Sequence, residues 1–301
     1  MGLAATFANG RPWLSPRVEG RLALGGRMDL TGSVSRRHQF VQSMRNAESV
    51  VGFVFPADLA LGPVPGIIPV AHADEVSLAA ELRVAPGVRA RASTYAREMR
   101  GVVLVAASES APFAREVPAS GSASAMGLSL EGEVSAARYL AMVRYGLQHV
   151  RYHHALGSYV PGWGQRSQLE GGITTFPTPT TVVRLGFHAL FGRRVTPATG
   201  AIEWESCNLK DRGCEFAGTP RTDPALVGTT RAPAYVRIDL SVRKHAHLRL
   251  GSREAEVAFF GTYSNLFQRF NVLTYGGRDG LRAPLEMRPP SPLVIGLDWR
   301  F

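Results

Sequence analysis

Hydrophobic and polar residues alternate with a period of two along most of this chain, and helical periodicity is hard to find. The last segment is the clearest case. Leu293, Ile295, Leu297, Trp299 and Phe301 share one phase, while Val294, Gly296, Asp298 and Arg300 share the other. In residues 235–243, Val236, Ile238, Leu240 and Val242 alternate with Arg237, Asp239, Ser241 and Arg243. Val183, Leu185 and Phe187 alternate with Arg184, Gly186 and His188, and Val76, Leu78, Ala80 and Leu82 with Ser77, Glu81 and Arg83. Such alternation predicts strands near 16–25, 27–38, 74–84, 88–99, 122–134, 138–152, 164–176, 180–192, 234–247, 254–267 and 291–301. Several exceed the usual soluble strand and match the about 9–11 residues of a tilted strand crossing a bilayer.

The gaps between these segments are informative in their own right. Gly25-Gly26, Ala85-Pro86-Gly87, Ser135-Ala136-Ala137, Pro177-Thr178-Pro179 and the stretch around Gly251-Ser252 read as tight turns. Between them fall long connections near 39–73, 100–121, 153–163, 193–233 and 268–290. Short and long take turns, as in an outer-membrane barrel with periplasmic turns at one end and extracellular loops at the other. A soluble sandwich has no reason to send every long loop to the same end. The predicted fold is therefore all-β, an antiparallel transmembrane β-barrel of which this chain carries about eleven strands. An odd number of strands cannot close antiparallel, and residues 2–8 are a further candidate that would make the count even.

Composition agrees. The 301 residues are 45% hydrophobic and 19% charged, too apolar for a disordered tail, and no run approaches a membrane-spanning helix. The formal charge of +10 is carried almost wholly by arginine, Lys210 and Lys244 being the only lysines. Those arginines, Arg21, Arg83, Arg91, Arg144, Arg184, Arg237 and Arg243 among them, fall mostly on the polar phase of their strands. A hydrated barrel interior accommodates them there, whereas arginine on a lipid face costs about 2–4 kcal/mol at mid-bilayer. No basic helix and no stripe of interleaved aromatic and basic residues is present, which argues against nucleic acid as a partner.

The final Ser291-Pro-Leu-Val-Ile-Gly-Leu-Asp-Trp-Arg-Phe301 resembles the closing strand of an outer-membrane barrel, with Gly296, Leu297, Trp299 and Phe301 as its insertion signal. Upstream, Tyr263-Ser-Asn-Leu-Phe-Gln-Arg-Phe-Asn-Val-Leu273 resembles the segment before the last strand of TonB-dependent outer-membrane receptors, matching at Asn265, Leu266, Phe267, Asn271 and Val272. Tyr235–Lys244 resembles that family's preceding strand. The likeness is specific mainly in the last seventy or so residues. It implies a barrel of about 22 strands around an N-terminal plug, in the outer membrane of a Gram-negative-type bacterium. Such a barrel imports scarce nutrients such as siderophore-bound iron or cobalamin, with energy from TonB. It implies the barrel-assembly machinery, the TonB system and outer-membrane lipid as partners, and no cofactor. Met1–Gly10 has neither the basic nor the apolar region of a signal peptide. Residues 1–301 are accordingly expected to be the C-terminal half of the barrel, without plug, TonB box or leader. The alternative is a self-contained smaller barrel acting as a passive pore or adhesion scaffold.

Candidate sites are sparse. Outer-loop aromatics Trp163, Trp204, Phe216, Phe270 and Tyr275 are candidate ligand contacts, though strand-end aromatics such as Trp163 also suit an interfacial girdle. Cys207 and Cys214 suggest a short disulfide loop, with two free thiols as the alternative. His149, His153 and His154, and the pair His245 and His247, lack a third ligand, so no metal is expected. No nucleophile elbow, zinc-protease or phosphate-loop motif occurs, and no enzymatic activity is expected. Glu81, Glu131, Glu133, Glu170, Asp239 and Asp298 are expected to pair with arginines of the same face.

Overall fold

The computed structural model describes residues 1–8, 10–43, 60–64, 66, 68–106, 117–154, 157–161, 164–195, 228–250, 253–278, 281–287 and 292–300. The chain is all-β and antiparallel, and the described residues contain no helix. Its wall runs through β1 (Gly2–Ala8), β2 (Arg11–Leu24) and β3 (Met28–Gln39), then β6 (Ala71–Ala85), β7 (Val88–Ala106), β8 (Val117–Ala136) and β9 (Tyr139–His154). It continues with β11 (Gln165–Thr178), β12 (Thr181–Phe191), β15 (Tyr235–Leu250), β16 (Arg253–Tyr263) and β19 (Leu293–Arg300). Each pairs with the one before it, and β10 (Gly157–Tyr159) folds back on β9, making a 13-stranded sheet. Three small pairs lie within the long connections: β4 (Gln42–Ser43) with β5 (Ala60–Leu61), β13 (Arg194–Val195) with β14 (Thr230–Arg231), and β17 (Asn271–Arg278) with β18 (Leu281–Met287).

The main-chain register converts a local alternation into a global one. Val18 lies opposite Val34, Val34 opposite Val76, and Val76 opposite Ala96, which faces Met126. Two rows nearer the turns, Leu30, Ala80, Ala92, Leu130, Tyr145 and Leu169 line up in the same way. At the far side Leu185, Leu240 and Tyr263 meet Leu293. Because side chains alternate faces along each strand, these rows build one continuous apolar face from β2 to β19. Its members stand out in solvent: Val76 is 56% exposed, Leu130 46%, Ile173 50% and Ile295 76%. An exposed apolar patch of this extent marks a surface built for lipid or for a partner.

Three glycines sit directly across from aromatics, Gly127 from Tyr95 and Gly296 from Phe260 on the opposite, polar face and Gly171 from Phe187 on the apolar face itself. In each pair the ring lies where a Cβ would otherwise be. The rings thus cover bare backbone across the strand, a device that pins register. Buried apolar residues gather at the loop end of the polar face. Ala71, Ala123, Ala125 and Val150 come from the wall, with Ile68, Val70 and the fully buried Pro161 from the connections. Buried Gln42 ties this region to the wall. Its side-chain amide donates to the carbonyls of Pro69 (3.2 Å) and Gly101 (3.0 Å) and accepts from the Val103 N–H (2.8 Å).

Several expected bounds are corrected. The sheet path holds twelve strands rather than eleven, because residues 2–8 form β1. That strand joins β2 through residues 9–10, a tight connection at the loop end, so short and long do not strictly alternate there. The strand expected over 254–267 stops at Tyr263, since Asn265 and Gln268 adopt φ of 53° and 51°, which no strand accommodates. Connections expected as plain loops carry the small pairs above, and β7 and β8 extend to Ala106 and from Val117. Phe301 and the whole of 196–227 lie outside the described residues.

The turn at Pro86-Gly87 needs its glycine twice over. Gly87 has φ of 75°, and a Cβ there would run into the Ser135 carbonyl oxygen. Gly87→Ala is expected to cost at least about 1–2 kcal/mol from the backbone conformation alone. Its lowered denaturant midpoint is readable by circular dichroism of the refolded chain.

Candidate functional site

The polar face carries the chemistry. In register across eight strands lie Asp29, Glu81, Arg91, Glu131, Arg144, Glu170, His188 and Arg237. This row is a charged belt perpendicular to the strands. Arg144 is its centre, donating to Glu131 on β8 (2.7 Å) and Glu170 on β11 (3.4 Å). Gln168 donates a further hydrogen bond to Glu170 (2.8 Å). At the β3 end, Asp29 accepts from Arg21 (3.1 Å) and Arg83 (2.8 Å) and is only 12% exposed. Flanking pairs extend the pattern: Arg89–Glu133 (2.8 Å), Arg237–Asp239 (2.7 Å) and Arg243–Asp298 (2.7 Å), with Arg97 donating to Glu75 through Nε at 2.7 Å.

The expected pairing of polar-face carboxylates with arginines is thus present for Glu131, Glu133, Glu170, Asp239 and Asp298, while Glu81 lies opposite Arg91 in the register and forms no ion pair among the described residues. Arginine suits these positions because its planar fork can serve carboxylates on two neighbouring strands. His188 is the exception in the belt. Its Nε2 is buried with no hydrogen-bond partner among the described residues, and its ring meets Tyr235 edge-on at 5.8 Å. The sequence singled out other histidines. Of those, His245 bonds Glu256 at 2.7 Å, and no metal-binding group of three appears among the described residues.

A second constellation stands at the loop end of β15 and β16. Where β16 stops, Leu266 N–H still donates to the Ile238 carbonyl (2.7 Å), and Asn265 N–H to Asp239 (2.8 Å). The Asn265 side chain then clasps Arg269, accepting from its N–H (3.2 Å) and donating to its carbonyl (2.9 Å). One residue beyond the turn, buried Asn271 continues the interrupted ladder. Its Oδ1 accepts from the Val236 N–H and its Nδ2 donates to the Val236 carbonyl, both at 3.0 Å. A side-chain amide here imitates a main-chain partner. These are the same asparagines that carried the resemblance in the sequence, and their work is to finish the wall and release the chain into the β17–β18 hairpin.

Beside it, Arg193 follows β12 and donates to the Val272 carbonyl at 2.9 Å. Burial, and then the nearby Arg166, hold its guanidinium below its ordinary pKa. Of the expected ligand contacts, Phe270 is 56% exposed just after this turn and Tyr275 is half-buried in the hairpin. They share one connection, while Trp163, Trp204, Phe216 and the Cys207/Cys214 pair lie outside the described residues. Gly296, Leu297 and Trp299 fall on β19, which among the described residues pairs with β16 alone. Leu297 and Trp299 are exposed on its apolar face.

No family model and no curated protein matches this chain. A solved structure does: the FrpB iron transporter from Neisseria meningitidis (F3-3 variant), at a TM-score of 0.50 and 12% identity. The match covers 96% of this chain and 38% of that one. The likeness is one of fold, to an outer-membrane barrel. Nearly the whole chain follows its path, yet the chain spans less than two fifths of that protein's length.

Two outcomes follow from the geometry. Asn271→Ala leaves the Val236 N–H and carbonyl unpartnered and is expected to destabilise the wall by about 1–3 kcal/mol, measured by denaturant unfolding. Arg144→Met strands two carboxylates where Arg89→Met strands one, so the first is expected to lower the unfolding midpoint further. Equal losses would contradict the central place given to Arg144.

Proposed function

We propose that this chain is part of the wall of an outer-membrane transport barrel. The observation that carries the proposal is the pairing of a continuous exposed apolar face, β2 to β19, with an opposite face of charge belt and ion pairs. That combination suits a sheet with lipid on one side and a hydrated passage on the other. The fold likeness to an iron transporter supports transport as the activity. The Tyr263–Leu273 segment supports a TonB-dependent receptor, of which this is the C-terminal wall, and the barrel has no chemistry of its own. A plug supplied by another part of the protein gates the passage. The excess of arginine favours anionic cargo such as ferric chelates. Insertion by the barrel-assembly machinery uses β19 as the edge strand that is paired in trans.

A second reading has its own support. Twelve successive antiparallel strands leave β1 and β19 running in opposite directions, as closing on each other requires. No pairing between them is present among the described residues. A cysteine pair, Ala5→Cys with Leu297→Cys, tests it. Oxidation is expected to give no intramolecular link in the partial-wall reading and a ready one in a closed small pore.

The wall itself is tested by fractionation and mutation. The chain is expected in detergent or outer-membrane fractions, and recovery as a stable soluble monomer overturns the proposal. Leu130→Arg, in the middle of the apolar face, is expected to cost about 2–4 kcal/mol of insertion free energy. Ser129→Arg, one residue away on the polar face, is expected to be tolerated, both read as the inserted fraction.

A further inference from the structure

The apolar face has a sharp upper border. Its last apolar row is Val34, Val76, Ala96 and Met126. One row toward the loops stand Arg36, Asp74, Glu98, Ser124 and Arg151, and above them His38, His72, Arg100, Ser122 and His153. That upper row crosses five strands without a carboxylate. The two carboxylates below it are already engaged. Arg36 grips Asp74 with two hydrogen bonds (2.6 and 2.7 Å), and Arg100 reaches Glu98 at 3.3 Å with both side chains 67% exposed. A pair so long and so exposed holds Arg100 only weakly. His38 and His72 lie with ring centroids 6.1 Å apart, and His38 Nδ1 bonds the Ser15 hydroxyl at 3.0 Å. Beneath the upper row, Val18, Val34, Val76, Ala96 and Met126 line an apolar groove together with Arg36, Asp74 and Glu98 of the lower row.

We infer that this border is a docking site for an outer-leaflet lipid with an anionic phosphate headgroup. The phosphate sits at His72 and Arg100, which lie directly opposite each other in the row, and an acyl chain lies in the groove below. The inference rests on the wall reading, in which this face meets lipid. Charge complementarity selects the occupant: cations and donors without carboxylates in the upper row match a phosphate, and an apolar groove opening at that level matches the chain attached to it. Basic groups at a membrane surface each contribute about 1 kcal/mol toward anionic lipid. A free anion would have no use for the groove, and a neutral lipid none for the row.

The test is native mass spectrometry of the full chain in neutral detergent, titrated with short-chain phosphatidic acid or with diacylglycerol of the same chains. Phosphatidic acid is expected to be retained at least about fivefold over diacylglycerol, the effect of roughly one basic group. His72→Gln combined with Arg100→Gln is expected to abolish the preference, while Arg184→Gln on the opposite face keeps it. Equal retention of the two lipids, displacement by equimolar inorganic phosphate, or equal loss in Arg184→Gln overturns the inference. A chain that inserts into detergent yet shows no headgroup preference sinks this site alone. A chain that never enters detergent sinks the wall reading and the site with it.

Discussion

Everything in this structure depends on main-chain register. Each strand alternates apolar and polar residues, but alternation alone does not decide that the apolar sets of neighbouring strands share a face. The inter-strand hydrogen bonds decide it, and a slip of one residue anywhere would turn a strand's apolar set toward the charged side. The apolar face and the charged belt are therefore two consequences of one set of pairings. Leu130 cannot sit between Ala92 and Tyr145 unless Glu131 sits between Arg91 and Arg144. The glycine–aromatic pairs add a steric check, because Tyr95, Phe187 and Phe260 each lie over bare backbone that only the correct register presents.

Both faces are bordered by devices that the strands themselves do not supply. At the loop end, Gln42 and Asn271 use side-chain amides to satisfy main-chain groups where the regular ladder gives out. Leaving such buried groups bare is costly, so these amides set where the wall may end and a connection begin. On the apolar side the change is abrupt, from Val34 and Val76 to Arg36 and Asp74 within one strand repeat. The wall thus has a defined height as well as two defined sides.

Much of this was legible in the sequence, for reasons of range. Alternation and tight turns are local signals, so the strands around Val236–Val242 and Leu293–Trp299 and the turn at Pro86-Gly87 could be placed without knowing their neighbours. The resemblance around Asn265 and Asn271 also lay in the sequence. Its purpose did not, because Asn271 acts on Val236, thirty-five positions away. The same residues explain the misplaced end of β16: Phe267 continues the apolar alternation, but Asn265 has already turned the chain. The belt was invisible for a deeper reason. Glu81, Glu131 and Glu170 could be assigned to the polar phase, yet their common height emerges only from the register of four successive pairings. His188 looked like one more polar-phase residue until its ring was placed against Tyr235 with Nε2 buried. The ligand contacts were hardest, since loop aromatics carry no periodicity.

The strand order has a kinetic consequence. Every wall strand pairs with its immediate predecessor, so no pairing waits for a distant part of the chain. Contact order is low for a β protein of this size, and topologies of local contacts fold without long loop-closure searches. The sheet can then grow one hairpin at a time, each arrival covering the edge left by the last. A β11–β12 hairpin arriving one residue out of register would set Leu169 or Gly171 across from Arg144 in place of Glu170, so the charge belt rewards only the correct arrival.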